Sequence, residues 1–295
     1  MAFQPTICSR VTVDDGISVF YRSSGSPSKP TILLLHGVPS SSHQFRNLIP
    51  ILATQYHVIA PDFPGFGFTT VPDERKYKYT FDALTTTLSA FVDALKLSQF
   101  AVYIFDYGAP VALRLALRRP TAITAIISQS GNAYAEGLGA NFWAPLQKYW
   151  ASGAAEDREP LRGLFTLEGT RWQYETGRPE SSDFIVPPEA YWLDQALMTM
   201  QPGNVDIQLD LLHDYQTNVT LYPEFQAYLR NSKVPVLAVW GKNDQIFVPA
   251  GAEAFKKDVD DLELHWLDAG HFALEGNEKK MADYILAFLD RVGLS

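Results

Sequence analysis

Three side chains, each placed just beyond an apolar run, have the types and the order needed for covalent hydrolysis. Asp106 stands in Tyr103-Ile104-Phe105-Asp106-Tyr107-Gly108-Ala109-Pro110, Asp244 closes Trp240-Gly241-Lys242-Asn243-Asp244, and His271 sits in Asp268-Ala269-Gly270-His271-Phe272. A carboxylate at a strand-to-helix turn can attack carbon as a nucleophile, and the helix N-terminus favours its anionic form. A histidine can activate water if an acid fixes its tautomer and supports its charge. Taken alone, Asp106 reads equally well as a helix N-cap. The balance moves because no Gly-x-Ser-x-Gly competes for the turn, and because Asp244 and His271 follow in the order acid, then base. His43, His57, His213 and His265 lack such surroundings and read as surface or packing residues.

A fourth segment, His36-Gly37-Val38-Pro39, follows another apolar run. Its sharp turn can aim the Val38 backbone N–H inward, and with the N–H of Tyr107 this makes a two-donor oxyanion hole. His36 is expected to hold that turn through backbone hydrogen bonds.

Something must position these residues, and the apolar pattern supplies it. Val11 to Val13 and Ile17 to Arg22, separated by Asp14-Asp15-Gly16, predict a hairpin. Thr31 to Leu35 and Val58 to Ala60 predict strands buried on both faces, and Phe100 to Phe105, Ala122 to Ser128, Val234 to Trp240 and Leu262 to Leu267 predict further strands. Leu84, Leu88, Phe91, Val92 and Leu95 fall at helical spacing behind Thr80, a suitable N-cap. Ala109 to Arg119 and Asn277 to Val292 predict further helices. Between about 132 and 227 the rhythm breaks into Trp-, Tyr-, Pro- and Gly-rich helical pieces without a convincing strand. The expectation is an α/β fold, a mostly parallel twisted sheet with helices on both faces, in which segments 1–131 and 228–295 form the core. Segment 132–227 is then a helical lid over the carboxyl ends of the strands.

The bulk numbers bound the function. The 295 residues are 46% hydrophobic and 19% charged, enough for a sizeable core. A net charge of −9 argues against nucleic acid and anionic membrane surfaces and favours a small apolar or neutral substrate. One cysteine, Cys8, excludes internal disulfides and thiolate clusters, and no His/Asp/Glu group has zinc-ligand spacing. No cofactor and no metal are therefore expected. The N-terminus lacks a signal-peptide pattern and no run reaches transmembrane length, so a cytoplasmic monomer or homodimer is expected.

Taken together, His36-Gly37-Val38-Pro39, Asp62-Phe63-Pro64-Gly65-Phe66-Gly67, Phe105-Asp106-Tyr107-Gly108, Gly241-Lys242-Asn243-Asp244 and Gly270-His271-Phe272 resemble the epoxide hydrolase and haloalkane dehalogenase branch of the α/β-hydrolase superfamily. The resemblance covers the core on both sides of about 132–227. It implies an aspartate nucleophile at Asp106, completed by Asp244 and His271, and an alkyl-enzyme ester. Epoxide hydrolases of this branch protonate the leaving oxygen with two lid tyrosines, for which Tyr215 and Tyr149 are the candidates; Tyr174 and Tyr191 compete for the earlier place. His36, Trp150 and Phe272 would wall the substrate pocket. Dehalogenases commonly bind the halide through a tryptophan after the nucleophile; Tyr107 stands there, and Val38 offers no side-chain donor. Lid tryptophans (Trp143, Trp150, Trp172, Trp192) could replace them, and Ile104 also leans to that pattern. The resemblance thus implies epoxide hydrolysis first, with haloalkane dehalogenation or hydrolysis of another secondary metabolite as alternatives. A catalytically silent binding fold is the remaining alternative, against which the retained Asp106, Asp244 and His271 count.

Overall fold

The computed structural model describes residues 5–179 and 184–294. Positions 1–4, 180–183 and 295, which include the first residues of the expected core and four of the expected lid, lie outside them. Eight strands, β1 (Ile7–Val13), β2 (Ile17–Ser24), β3 (Thr31–Leu35), β4 (His57–Pro61), β5 (Phe100–Phe105), β6 (Ile123–Gln129), β7 (Val236–Gly241) and β8 (Leu262–Leu267), form one sheet. Their spatial order is β1-β2-β4-β3-β5-β6-β7-β8. Pairings β1–β2 and β2–β4 are antiparallel, and every other is parallel.

Alternation along the strands divides the core in two. Leu33 and Leu35 of β3 join one apolar cluster, with Leu84, Leu88 and Phe91 of the helix Phe81–Ala94. Ile32 and Leu34 join the other, with Ile285, Phe288 and Leu289 of the helix Glu278–Arg291. A period of two places successive side chains on opposite faces, and a helix covers each face. The expected strands and helices are present with ends shifted by a few residues; the hairpin is longer, reaching back to Ile7 and on to Ser24. Thr80 caps its helix, its hydroxyl accepting from the Ala83 N–H at 3.1 Å, which contributes about 1 kcal/mol.

Between β6 and β7 the chain leaves the sheet for a run of helices, including Ala140–Ser152, Leu167–Glu175, Pro188–Met200, Asn204–Asp214 and Gln216–Ser232. The last passes through position 227 without a break. Polar contacts fasten this insertion to the sheet domain. The Phe81 N–H donates to Asp214 at 2.7 Å, Gln208 donates to the Gly65 carbonyl at 3.0 Å, and Arg114 donates to Asn218 at 2.9 Å. A buried knot adds to them: Tyr174 and Ser40 both donate to Asp194, whose carboxyl burial pushes up to about 8.

Candidate active site

Asp106 follows β5 directly and precedes the helix Gly108–Arg118. Its backbone is left-handed (φ 49°), a conformation that an aspartate tolerates better than most residues but still a strained one. The crowding around it explains why glycines flank the turn. A Cβ on Gly37 would lie 2.3 Å from Asp106 Oδ1, and one on Gly108 would lie 2.4 Å from the Leu35 carbonyl oxygen. Two backbone groups hold the carboxylate: the Val38 N–H donates to Oδ1 at 2.9 Å, and the Tyr107 N–H donates as well. Burial raises the Asp106 carboxyl to about 6, against the pull of His271 and of those two N–H groups.

His271 lies just past β8, with Nε2 3.8 Å from Asp106 Oδ2 and Nδ1 3.1 Å from Asp244 Oδ2. Asp244 follows β7 and accepts from the Ile246 and Phe247 N–H groups through Oδ1, at 2.8 and 3.1 Å. Its Oδ2 also accepts from the Ser130 hydroxyl at 2.7 Å. Because a carboxylate only accepts, Nδ1 of His271 carries a hydrogen, and Nε2 lies toward Asp106 without a hydrogen-bond partner. Burial works to lower the His271 pKa, yet the charge and hydrogen bond of Asp244 and the charge of Asp106 outweigh it, and the net shift is upward. The three residues are nearly fully buried, so these charges act with little solvent screening.

The structure therefore brings Asp106, His271, Asp244, Val38 and Tyr107 together, and redistributes the rest. His36 donates from Nδ1 to the Gly37 carbonyl and accepts the Phe63 N–H at Nε2, both at 3.0 Å, and burial lowers its pKa to about 4. It pins its turn as a neutral ring and does not wall the cavity. Phe272 stacks on Tyr174 at 3.8 Å and supports the His271 ring from its edge. Trp150 donates to the Leu212 carbonyl at 2.7 Å and stacks behind Tyr215. Tyr149 is turned away: its hydroxyl accepts from Arg158 at 3.0 Å and its ring lies on His213. Tyr215 packs behind Tyr107 and Trp143, its hydroxyl 3.3 Å from that of Tyr222, which in turn accepts from Asn132. The expected pair of tyrosines is thus not assembled over Asp106. The geometry gives Tyr215 the neighbour Tyr222, seven residues along the chain, in place of Tyr149.

An enclosed cavity adjoins the carboxylate, with only about 20 Å³ open to a water-sized molecule. Val38, Asp106, Tyr107, Trp143, Leu164 and Gln173 are among its walls. Phe142 and Leu164 separate it from an outer groove of about 1110 Å³ that runs along the insertion past Trp172 to Asp244. Sequence reasoning missed Ser130, Tyr222 and Gln173. Only Ser130 left a usable trace, as a polar residue at the end of the strand beside β7. Among the described residues no group of three or more His, Cys, Asp or Glu side chains could hold a metal ion, and no helix is long and apolar enough to cross a membrane.

A mostly parallel sheet with a strand-to-helix turn at Asp106 and an insertion after β6 defines an architectural class, and the chain belongs to the alpha/beta hydrolase fold family, whose profile matches residues 30–278. Among individual relatives, it is 50% identical to an uncharacterized hydrolase of Saccharomyces cerevisiae over 94% of this chain and 95% of that one. It is also 38% identical to a haloalkane dehalogenase of Bradyrhizobium diazoefficiens, over 36% of this chain and 33% of that one. The crystal structure of a haloalkane dehalogenase from Agrobacterium tumefaciens shares the fold, with TM-score 0.80 at 20% identity over 98% of this chain and 97% of that one.

Proposed function

We propose that the protein is a hydrolase of small neutral molecules that works through an alkyl ester on Asp106, and that its substrate is an epoxide opened to a vicinal diol. The observation that carries the reading is the approach of His271 Nε2 to Asp106 Oδ2, 3.8 Å apart, backed by Asp244 on Nδ1. Asp106 Oδ2 attacks an sp3 carbon of the substrate; the new C–O bond forms as the ring C–O bond breaks, and the freed oxygen takes a proton from the Tyr215–Tyr222 pair of phenols. His271 then removes a proton from water, and the hydroxide adds to Cγ of Asp106. Charge developing on Oδ1 falls between the Val38 and Tyr107 N–H groups, which already hold that carboxylate in the free protein. Collapse expels the diol oxygen, which takes its proton from His271; the proton left on the Asp106 carboxyl returns to the group that protonated the epoxide oxygen, and the carboxylate is restored.

Timing follows from the charges. Esterification removes the Asp106 charge, which helps hold a proton on His271. The imidazole is thus released to act as a base when water must be activated. The supply of phenols favours an epoxide, because an alkoxide needs a proton and a halide does not: the Tyr215 and Tyr222 hydroxyls, 3.3 Å apart, both feel the Asp106 charge. Haloalkane dehalogenation is the second reading, favoured by the sequence similarity to the Bradyrhizobium enzyme.

Isotope labelling tests the ester. With enzyme in excess over epoxide in H₂¹⁸O, a single turnover is expected to give unlabelled diol and to leave ¹⁸O in the peptide containing Asp106. Label in the diol from the first turnover means direct attack by water and removes the ester from the mechanism. The acid limb of the rate is a second check. Attack requires the ionised carboxylate, so ester formation is expected to fall about tenfold per pH unit below pH about 6 and to level off above it. A limb centred near 4 would mean that burial does not govern this carboxyl.

A further inference from the structure

We infer that the substrate carries an uncharged hydrogen-bonding oxygen next to its reactive carbon, and that the Gln173 carboxamide receives it. The inference rests on the ester reading above, which places the reacting carbon in the cavity at Asp106. Gln173 belongs to the helix Leu167–Glu175 of the insertion, is 4% exposed, and lines that cavity. The other buried polar side chains of the same helix are both used: Thr170 donates to Gln195 at 3.0 Å, and Tyr174 donates to Asp194. Gln173 alone of the three makes no side-chain hydrogen bond to any described residue. Its amide atoms are not sealed in protein either, since they are absent from the buried atoms that lack a partner. The free space beside this residue is the cavity.

A wholly apolar substrate would close the cavity over the carboxamide and leave it unpaired, which is costly in a dry site. A substrate oxygen placed against the carboxamide restores what the amide loses. A carboxamide both donates and accepts, so a hydroxyl or a carbonyl oxygen satisfies it. The oxygen is uncharged because no Lys or Arg lines the cavity to balance an anion, and the Asp106 carboxylate already occupies it.

Matched substrates test this. Glycidol and 1,2-epoxybutane differ by a hydroxyl in place of a methyl group; 2-bromoethanol and 1-bromopropane differ in the same way with a halide leaving group. Wild type is expected to favour glycidol by roughly tenfold or more in kcat/KM, from the cost of an unpaired buried amide. Gln173→Leu and the nearly isosteric Gln173→Met are expected to abolish the preference, by slowing glycidol and speeding 1,2-epoxybutane. Equal wild-type rates on both epoxides, or variants that slow both by one factor, would reduce Gln173 to packing and overturn the inference. If only the bromides react, with a preference for 2-bromoethanol that both variants erase, the inference stands and the epoxide assignment falls. Silence of all four substrates sinks the inference together with the ester reading.

Discussion

Asp106→Ala and Asp106→Asn are expected to lower kcat on the order of 10⁴-fold or more, because nothing else in the cavity can form the ester. The same substitutions should leave the fold intact, and the asparagine should strengthen it. Asparagine tolerates the left-handed backbone at φ 49° about as well as aspartate, whereas alanine adds strain there. The sign of the stability effect follows from the carboxyl itself. Its folded pKa of about 6 lies above the ordinary value of 3.8, so its contribution to stability is complete below pH about 4 and is lost as pH rises through 6. Above that pH the wild type holds a buried charge that the asparagine variant lacks. Asp106→Asn should therefore melt higher than wild type at pH 8, with the advantage vanishing toward pH 4. Thermal unfolding at the two pH values, read beside activity, checks both statements. An inactive variant that also melts lower at pH 8 would point to a structural carboxylate.

The second large effect is a trapped intermediate. His271→Gln removes the Nε2 that faces Asp106 while keeping a polar side chain beside Asp244. The first half-reaction does not need the imidazole as a base; the second does. Turnover should fall on the order of 10³-fold or more while the ester accumulates, and intact mass would show it within a single incubation. A gain equal to a whole epoxide establishes attack with ring opening. A gain equal to an alkyl group without its halogen moves the assignment to dehalogenation. A variant that turns over freely, with no adduct, would take His271 out of the hydrolytic step.

The sheet was legible because strand ends are punctuated. Leu35 runs into His36-Gly37, Phe105 into Asp106, Gly241 closes an apolar run, and Leu267 leads into Asp268-Ala269-Gly270-His271; each run is followed at once by a turn signal. Candidate residues at those ends inherit their positions from the sheet, so reading the strands also places Asp106, Asp244 and His271 at one edge. The insertion offers no such register. Tyr149 lies in a helix and Tyr215 at the junction of two, and which way each hydroxyl turns depends on Arg158 and Tyr222, neither of which marks itself in the sequence. Gln173 stands in an ordinary polar helical stretch, and only its lack of a partner in three dimensions distinguishes it. Side chains tied to a strand end can be read locally; those gathered by packing between helices cannot.

The placement of the insertion also shapes how the chain folds. β6 and β7 are neighbours in the sheet, with Ile126 beside Val236. Closing the intervening loop of roughly a hundred residues costs about 4 kcal/mol of chain entropy unless the helices have already compacted it. During synthesis β1 to β6 can pair as they emerge, carrying Asp106 on its turn, whereas Asp244 and His271 arrive only with β7 and β8. A partly made chain therefore holds the proposed nucleophile with no base beside it. The two halves of the chemistry meet only in the last step of folding.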